Sequence, residues 1–305
     1  MICKTGNMNS KFNKIKSALA AMMLLLLMLF STSCDTIIKD NNTANSPSGD
    51  FAVHYLDVGQ GDSVFLELPN SECMLIDAGE NYHGEGIISY IAELGYTKIN
   101  YLVATHPHAD HIGSMAYIVN NFNIGTIYMP KVSTNTKTYE SLLNAIKNKG
   151  LKIKSATAGM NIVDVDNFKI DIIAPVKIYS DDLNNCSVVM KAVYGNTSFL
   201  FTGDAEKKEL DTIFDDMSAD VLKVGHHGSK TSTTEEFLKE VSPSIAVISC
   251  GKDNSYGHPH DSTLQFLNEI NCKIYRTDID QTILITSNGE DIDVETNVKS
   301  IERAK

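Results

Sequence analysis

The segment that most constrains this chain is "ATHPHADHIGS", residues 104–114, which continues the apolar run "YLVAT". It places His106, His108, Asp110 and His111 within six positions. In an extended turn, residues two apart point the same way, so His106 and His108 can present their imidazoles to one point. Asp110 and His111 stand where a helix begins and can approach a second point nearby. Imidazole with carboxylate suits zinc and similar divalent ions, so the segment predicts a metal site at the end of a buried strand.

The order of apolar runs predicts an α/β chain. Short strand-like runs bounded by Gly, Pro or Asn begin at Phe51, and the first three are "FAVHYLDVG", "SVFLELP" and "CMLIDAG". Segments with helical spacing, such as "GEGIISYIAELGY", then alternate with strands such as "INYLVATHP". A hairpin turns at Gly195 and Asn196. This order predicts two mixed sheets with helices outside them, in one domain over residues 51–298.

The N-terminal segment predicts export. Four lysines precede "ALAAMMLLLLMLF", a 13-residue apolar block that suits a signal-peptide core better than a membrane span. The following "STSC" resembles the lipobox of bacterial lipoproteins, in which Cys34 is acylated, although Ser31 stands where that pattern usually has Leu. Residues 1–33 are therefore expected to be a lipoprotein signal peptide, with a cleaved secretory signal or an uncleaved anchor as alternatives. Residues 34–50 read as a flexible tether.

Cysteine spacing adds no metal motif. Cys73, Cys186, Cys250 and Cys272 form no pair with a short spacing such as C-x-x-C. They are expected to be small buried apolar residues, with a disulfide as the alternative.

Several motifs together resemble one protein family. "THPHADHIGS" is similar to the signature of the metallo-β-lactamase superfamily. In the same order, "LDVGQGDS", "LIDAG", "FLFTGDAE", "LKVGHHGSKTS" and "YGHPH" resemble the metallohydrolase domain of the ComEC competence protein and its free-standing secreted relatives. The resemblance implies an α/β fold of the four-layered αβ/βα sandwich type, with the metal site at the shared edge of the sheets. It also implies two divalent metal ions, zinc or manganese.

The resemblance also implies a ligand set and two roles beside it. Asp204 in "TGD" matches the carboxylate that bridges two ions, and Asp77 in "LIDAG" matches a position that steadies a metal-bound histidine. Asp57 and Asp62 of "DVGQGDS" are candidates to orient ligands or water. The predicted metal ligands are His106, His108, Asp110, His111, Asp204, His226 and His258.

The chain departs from the family pattern before Asp204, because "NNCSVVMKAVYG" contains no histidine where many members have one. "GHHGS" ends the next strand and can supply the missing ligand, for which His226 is predicted. His227 is predicted to donate a proton or contact phosphate, although either histidine can be the ligand. In "YGHPH", His258 fits the family's final histidine better than His260, which can cap a helix.

Hydrolysis is the expected reaction, because two ions that share Asp204 activate water near neutral pH. Asp110 and His227 are the predicted catalytic residues. The ComEC resemblance implies a phosphodiesterase or nuclease that acts on a phosphoester or nucleic acid outside the membrane. The expected location is the outer side of a bacterial cell membrane, with Cys34 as lipid anchor.

The net charge leaves the class of substrate open. The net charge is −12, and no alternation of aromatic and basic residues marks a track for a long strand. "KNKGLKIK" is either a local basic patch or a solvated helix end. Hydrolysis of a small phosphoester, a lactone or a β-lactam, and a metal-binding module without catalysis, stay open. The sequence identifies no protein partner.

Overall fold

A computed structural model describes residues 49–298 of the chain. The predicted signal peptide, the lipidation site Cys34 and nearly all of the predicted tether lie outside the described residues. Several strands between residues 49 and 298, among them Phe51–Tyr55, Val64–Glu67, Cys73–Ile76 and Val221–Lys223, are buried on both faces. Apolar residues therefore follow one another along these strands, without the alternation that marks a half-exposed sheet.

The first sheet contains the strand that precedes the histidine-rich segment. Its strands are β1 Phe51–Tyr55, β2 Val64–Glu67, β3 Cys73–Ile76, β4 Lys98–Val103, β5 Asn123–Pro130, β6 Ile153–Ala156, β14 Thr282–Ser287 and β15 Ile292–Val298. Across the described residues, their spatial order is β15-β14-β1-β2-β3-β4-β5-β6. β3 to β6 are parallel to one another, whereas β1 pairs with antiparallel neighbours on both sides.

The second sheet repeats this mixture of directions. Its strands are β7 Met160–Val165, β8 Phe168–Ala174, β9 Val189–Tyr194, β10 Thr197–Phe201, β11 Val221–Lys223, β12 Ile245–Ile248 and β13 Lys273–Arg276. They lie in the order β13-β12-β11-β10-β9-β8-β7. β7 to β10 are antiparallel, and β10 to β13 are parallel. The hairpin predicted at Gly195 and Asn196 joins β9 to β10.

Helices cover the outer faces of both sheets. They are α1 Gly84–Glu93, α2 Ala109–Ile112, α3 Met115–Asn121, α4 Lys137–Asn148, α5 Lys207–Leu210, α6 Glu235–Val241, α7 Asp261–Glu269 and α8 Thr277–Asp280. The segment "EKKELDTIF", residues 206–214, predicts a longer helix than α5. Helix α5 ends at Leu210 because the amides of Thr212 and Ile213 donate to carbonyls three residues earlier. Between residues 49 and 298, no helix combines the length and apolarity that a bilayer crossing requires.

Alternate residues of one strand enter different cores. Phe199 and Phe201 of β10 lie in the core between the two sheets, whereas Leu200 faces the helices outside the second sheet. In the first sheet, Leu66 faces the core between the sheets and Phe65 faces the outer helices. Three cores therefore separate four layers. This confirms the predicted four-layered αβ/βα sandwich.

The four cysteines of the described region behave as apolar residues. Cys73, Cys186, Cys250 and Cys272 are buried and form no disulfide within residues 49–298. Burial raises the pKa of each thiol, to about 11 for Cys73 and about 12 for Cys250 and Cys272. Since the thiolate is the reactive form, these cysteines are expected to be inert.

One buried carboxyl group makes stability depend on pH. Glu209 of α5 is fully buried, and this burial, helped by the nearby Asp182, raises the pKa of its carboxyl to about 9. In the unfolded chain a glutamate titrates near pH 4.3. Between about pH 4.5 and 9 the folded protein therefore binds one more proton than the unfolded chain at this residue. Its contribution to the free energy of unfolding falls by about 1.4 kcal/mol for each pH unit in that window.

We expect Glu209→Gln to remove this loss. The variant should gain stability relative to the parent as pH rises from 5 to 8, by up to about 4 kcal/mol. Urea unfolding of both proteins at the two pH values measures the difference. Glu240→Gln, at an exposed helical position, is the matched control. An unchanged difference between Glu209→Gln and the parent at the two pH values contradicts the expectation.

Candidate metal centre

The predicted site residues follow strands of both sheets. Asp77 follows β3, His106 follows β4, Asp204 follows β10, and His226 and His227 follow β11. The carboxyl ends of parallel strands lie at one edge of a sheet, so the loops that leave these strands meet there. The strands are rigid supports, and they hold the loop side chains in place.

His106 and His108 turn ring nitrogens toward one point. His106 Nε2 lies 2.9 Å from His108 Nδ1, near the roughly 3.3 Å between two ligand atoms of one tetrahedral zinc ion. The Thr105 hydroxyl donates to Asp77 Oδ2, so its oxygen accepts from His106 Nδ1 at 3.2 Å. His106 Nε2 therefore keeps its lone pair. Burial lowers the pKa of both imidazoles and favours the neutral form that a ligand needs.

Asp77 orients His111. Its Oδ2 accepts from His111 Nδ1 at 2.8 Å, and its Oδ1 accepts from the Thr105 N–H at 2.8 Å. His111 Nε2 then faces Asp204 Oδ2 at 3.2 Å. Burial opposes a charged ring, yet the carboxylates of Asp204, Asp110 and Asp77 raise the pKa of His111 well above its usual value. These carboxylates favour a positive charge at this point, whether a proton or a metal ion.

Asp204 lies at the centre of the arrangement. Its Oδ2 is 3.2 Å from the Nε2 of His111, 3.7 Å from that of His227, 3.8 Å from that of His226 and 3.9 Å from that of His106. Burial alone would raise the pKa of the Asp204 carboxyl, but the imidazoles of His111 and His227 lower it well below its usual range. The ionised carboxylate is thus shared by histidines from both sheets.

The turn "GHHGS" presents its two histidines differently. His226 and His227 have φ angles of 48° and 54°, a left-handed conformation that costs roughly 1–2 kcal/mol for each non-glycine residue. His227 is buried, its Nδ1 donates to Ser249 O at 3.0 Å, and its Nε2 lies 3.2 Å from Asp110 Oδ2. A neutral ring with its proton on Nδ1 offers Nε2 as a ligand atom. Despite burial, Asp204 and the hydrogen bond with Asp110 raise the pKa of His227 to about 10.

His226 lies closer to solvent and has a carboxylate partner of its own. Its side chain is 24% exposed, and its Nδ1 lies 3.1 Å from Glu206 Oε1. Thr231 Oγ1 donates to the same oxygen at 2.8 Å. The hydrogen bonds from His226 and Thr231 lower the pKa of the Glu206 carboxyl. The Glu206 carboxylate therefore accepts from Nδ1–H of His226 and orients the ring.

The loop after β12 brings an aromatic pair to the same place. Asn254 Oδ1 accepts from the N–H of Tyr256 at 3.2 Å and from that of His258 at 3.0 Å. Its Nδ2 donates to Gly251 O at 2.9 Å. The rings of Tyr256 and His258 stack with centroids 5.7 Å apart. The Asn254 amide therefore fixes the position of both rings.

The two histidines of "YGHPH" differ in position. The His258 ring lies with its centroid 5.5 Å from that of His226. Burial, together with neighbouring imidazoles, lowers the pKa of His258 to about 4. His260 precedes α7, and its Nδ1 accepts from the Lys230 N–H at 3.1 Å. His258 therefore faces the site, whereas His260 holds the backbone N–H of Lys230.

A buried ion pair lies behind His227. Lys223 is 1% exposed, and its Nζ lies 2.8 Å from Asp62 Oδ2. Asp62 Oδ1 is 3.3 Å from His227 Nδ1. Burial alone would raise the pKa of Asp62, but Lys223 and His227 lower it to about 2. Gly61, the residue before Asp62, packs directly against the backbone of Asp110, because a Cβ at this position would lie 2.4 Å from Asp110 O.

Polar side chains in two turns near the site form hydrogen bonds within those turns. Asp57 Oδ1 accepts from the Gly59 N–H at 3.1 Å. The hydroxyls of Ser229 and Thr231 lie 2.9 Å apart and bond to each other. Asp57 thus stabilises its own turn, and Thr231 serves the site by holding Glu206.

The residues around Asp204 fit a divalent cation. Asp110, His111, Asp204 and His227 each offer one ligand atom, and these atoms all lie within 4.8 Å of one another. Within the described residues, His111 Nε2 and Asp204 Oδ1 are buried without a hydrogen bond. When His111 Nδ1 donates to Asp77, the lone pair of Nε2 faces Asp204 Oδ2. Two acceptors 3.2 Å apart repel unless a positive charge lies between them.

A cavity of about 350 Å³ opens over these groups. Its lining residues are Gln60, His108, Ala109, Asp110, Asn184, Asp204, His226, His227, Tyr256 and His258. Six of the predicted site residues therefore face one space, and His106 and His111 adjoin it through Asp204. The volume suits a small ligand or one segment of a longer one.

Comparison with known proteins assigns the chain to a family. Residues 56–252 match the family model of the metallo-beta-lactamase superfamily. The chain belongs to the metallo-β-lactamase superfamily. The resemblance seen in its motifs is therefore confirmed. Family membership and the His/Asp cluster together make the protein a metal-dependent hydrolase, as the sequence predicts.

Curated relatives place the chain in the ComEC-like branch. ComE operon protein 3 of Bacillus subtilis is 33% identical over 77% of this chain and 33% of its own length. Recombination protein 2 of Haemophilus influenzae is 31% identical over 74% of this chain and 27% of its own length. The chain thus spans about a third or less of these relatives.

A solved structure shares the fold. CmlA, a diiron β-hydroxylase from Streptomyces venezuelae, aligns with a TM-score of 0.51 and 15% identity. The alignment covers 79% of this chain and 54% of that one. At this identity the likeness concerns the fold alone.

Sequence reasoning missed several residues of the site. Glu206 stands two residues after Asp204 in "TGDAE", and a carboxylate so close to a predicted ligand was a usable signal. Lys223 interrupts the apolar strand "VLKV", and a lysine there indicates a buried charge partner. Tyr256 begins the motif "YGHPH" that the resemblance singles out, whereas Asn254 lies in a polar loop without any comparable signal.

Proposed function

We propose that this hydrolase is a phosphodiesterase that cleaves nucleic acid on the outer side of a bacterial cell membrane. The observation that carries the proposal is the position of Asp204, whose Oδ2 lies within 3.9 Å of four imidazole nitrogens. Two ion positions that share one carboxylate suit an in-line displacement at phosphorus. The relatives named for competence and recombination support nucleic acid as the substrate.

The proposed ligands form two sets. Asp110, His111, Asp204 and His227 would hold one ion, and His106, His108 and Asp204 would hold the other. Divalent ions held by these residues would polarise a phosphoryl oxygen and lower the pKa of water. Zinc and manganese both suit imidazole and carboxylate ligands.

In this proposal the two histidines of "GHHGS" exchange their predicted roles. His227 is buried and its Nε2 faces Asp110, so it serves as a ligand. His226 lines the cavity and is supported by Glu206, so it holds the proton that the leaving oxygen receives. His258 and Tyr256 line the opposite side and contact the substrate.

A panel of substrates tests the proposal. The full-length chain, purified in mild detergent, is assayed with bis-p-nitrophenyl phosphate, single-stranded DNA and nitrocefin, with added zinc or manganese and after chelation. We expect chelator-sensitive cleavage of the first two only. Cleavage of nitrocefin alone would show a lactamase, and tightly bound metal without turnover would show a binding module.

Location is proposed from the N-terminal segment. Acylated Cys34 anchors the protein to the outer face of the membrane, and residues 35–50 separate the hydrolase from the surface. We expect Cys34→Ser to shift the protein from the membrane fraction to the soluble fraction of fractionated cells. Retention of Cys34→Ser in the membrane fraction, with the parent also there, contradicts a lipid anchor.

A further inference from the structure

One stretch of this acidic protein is basic. The whole chain carries a net charge of −12, yet the 53 residues between Asp110 and Asp164 contain six lysines and a single acidic residue, Glu140. Strand β5, helix α4 and strand β6 lie within this stretch. The charge is therefore concentrated on one end of the first sheet, beyond β4, the strand that carries the metal-binding loop.

The fold divides the six lysines between two edges of the sheet. β5 and β6 are parallel, so α4 must run back between them and begin at the edge where β5 ends. Lys131 follows β5, Lys137 begins α4, and Lys154 lies within β6, two positions before its end. We call these three the near-edge lysines, because the metal centre lies at the same edge.

The near-edge lysines are free to bind an anion. All three are exposed. Within residues 49–298, none of their ammonium groups lies within 4.0 Å of a carboxylate in the ion pairs of the structure. Lys154 instead lies over the Tyr128 ring, at 5.4 Å from its centroid. Their charge is therefore not neutralised by the protein itself.

A groove lies beside Lys131, and Lys154 lies in β6 between two of its lining residues, with its side chain on the other face of the strand. The volume of the groove is about 410 Å³, and Lys131, Tyr139, Ile153 and Ser155 are among its lining residues. Ile153 is 39% exposed, which is unusual for an isoleucine in a strand. The Tyr139 hydroxyl donates to Val132 O at 3.0 Å and ties the loop that bears Lys131 to α4. Apolar and aromatic walls beside cations suit bases and phosphates together.

The groove is within reach of the metal centre. Neighbouring strands lie about 4.8 Å apart, so β6 is roughly 10 Å from β4. Helix α4 also contacts α2, which carries Asp110 and His111. A single-stranded nucleic acid held in the groove would therefore extend to the cavity within a few nucleotides.

We infer that the near-edge lysines and this groove bind the single-stranded nucleic acid whose phosphodiester the metal centre cleaves. The inference rests on the proposed function, for which it supplies the missing cationic track. Lys131 borders the groove, and Lys137 and Lys154 lie on the elements that flank it. These lysines contact phosphates at the edge of the sheet, and Tyr139 and Ile153 pack against bases. An otherwise acidic surface repels the strand elsewhere and confines it to this path.

Two triple variants of the full-length chain test the inference. The near-edge variant carries Lys131→Gln, Lys137→Gln and Lys154→Gln. The control carries Lys98→Gln, Lys147→Gln and Lys149→Gln, which removes the same charge from exposed positions at the opposite edge. Binding of a labelled oligonucleotide of about 12 nucleotides is measured by fluorescence anisotropy in chelator, without cleavage, over a range of salt concentrations.

We expect the near-edge variant to bind about tenfold more weakly and to lose about 2 from the slope of log K against log salt. The control should match the parent, and both variants should cleave bis-p-nitrophenyl phosphate at the parent rate. Equal binding by the two variants, or weakening of both, overturns the inference. Displacement of the oligonucleotide by inorganic polyphosphate at equal phosphate concentration overturns the assignment to nucleic acid.

The same data separate this inference from the proposed function. If the parent cleaves neither DNA nor bis-p-nitrophenyl phosphate, the proposed function fails. Selective loss of binding in the near-edge variant would still support the surface, because the anisotropy measurement needs no turnover.

Discussion

Asp204→Asn is expected to lower kcat for phosphodiester cleavage by about 10³-fold or more. The carboxylate is 2% exposed and is the one group that all four converging Nε2 atoms of the described site approach within 3.9 Å. Asparagine preserves the shape but removes the negative charge. Its amide would also replace one acceptor with a donor. A shared ligand to both ion positions is thus lost.

The metal content of Asp204→Asn tests whether the lower kcat comes from the loss of bound metal. Elemental analysis after gel filtration should show at least one equivalent fewer of bound ion in Asp204→Asn than in the parent. Asp215→Asn, an exposed substitution of the same kind, is the control and should retain both rate and metal. A variant with the parent's metal content and rate would exclude Asp204 as the bridging ligand.

His227→Gln and His226→Gln are expected to fail in different ways. His227 is buried with Nε2 toward Asp110, so its loss should release about one equivalent of metal and lower every activity by about 10²-fold or more. His226 is a proton donor in our proposal, so His226→Gln should keep the parent's metal content. Its effect should depend on the leaving group.

Substrates with different leaving groups test whether His226 donates a proton. p-Nitrophenolate leaves with little need of a proton, whereas the alkoxide of a nucleotide needs one. We expect His226→Gln to lower cleavage of DNA by about 10²-fold or more and to spare bis-p-nitrophenyl phosphate by comparison. Glu206→Gln should show the same pattern to a smaller degree, because it removes the partner of His226. Metal loss in His226→Gln with metal retained in His227→Gln would restore the assignment predicted from the sequence.

Local patterns in the sequence were sufficient for the architecture. The apolar run before His106, the helical spacing in "GEGIISYIAELGY" and the hairpin at Gly195 and Asn196 all depend on neighbours a few positions away. The spacing of His106 and His108 likewise predicts two imidazoles at one point, and their ring nitrogens are 2.9 Å apart. Short-range geometry of this kind follows directly from the order of neighbouring residues.

The roles of the paired histidines could not be read in this way. His226 and His227 are adjacent, and either can ligate a metal in principle. Their difference comes from groups distant in the chain. The Ser249 carbonyl accepts from His227 Nδ1 across 22 positions, Asp110 faces His227 Nε2 across 117 positions, and Glu206 faces His226. Nothing in "GHHGS" indicates which carboxylate each ring will meet.

The sequence by itself determined which elements form, in which order, and which residue types end the strands at the site. Only the tertiary structure decided which nitrogen each imidazole directs at Asp204, where Lys223 places its buried charge, and which lysines share an edge with the metal centre. The physical reason is that secondary structure follows from contacts between near neighbours, whereas tautomer, charge balance and surface charge depend on groups that meet only after both sheets have packed together.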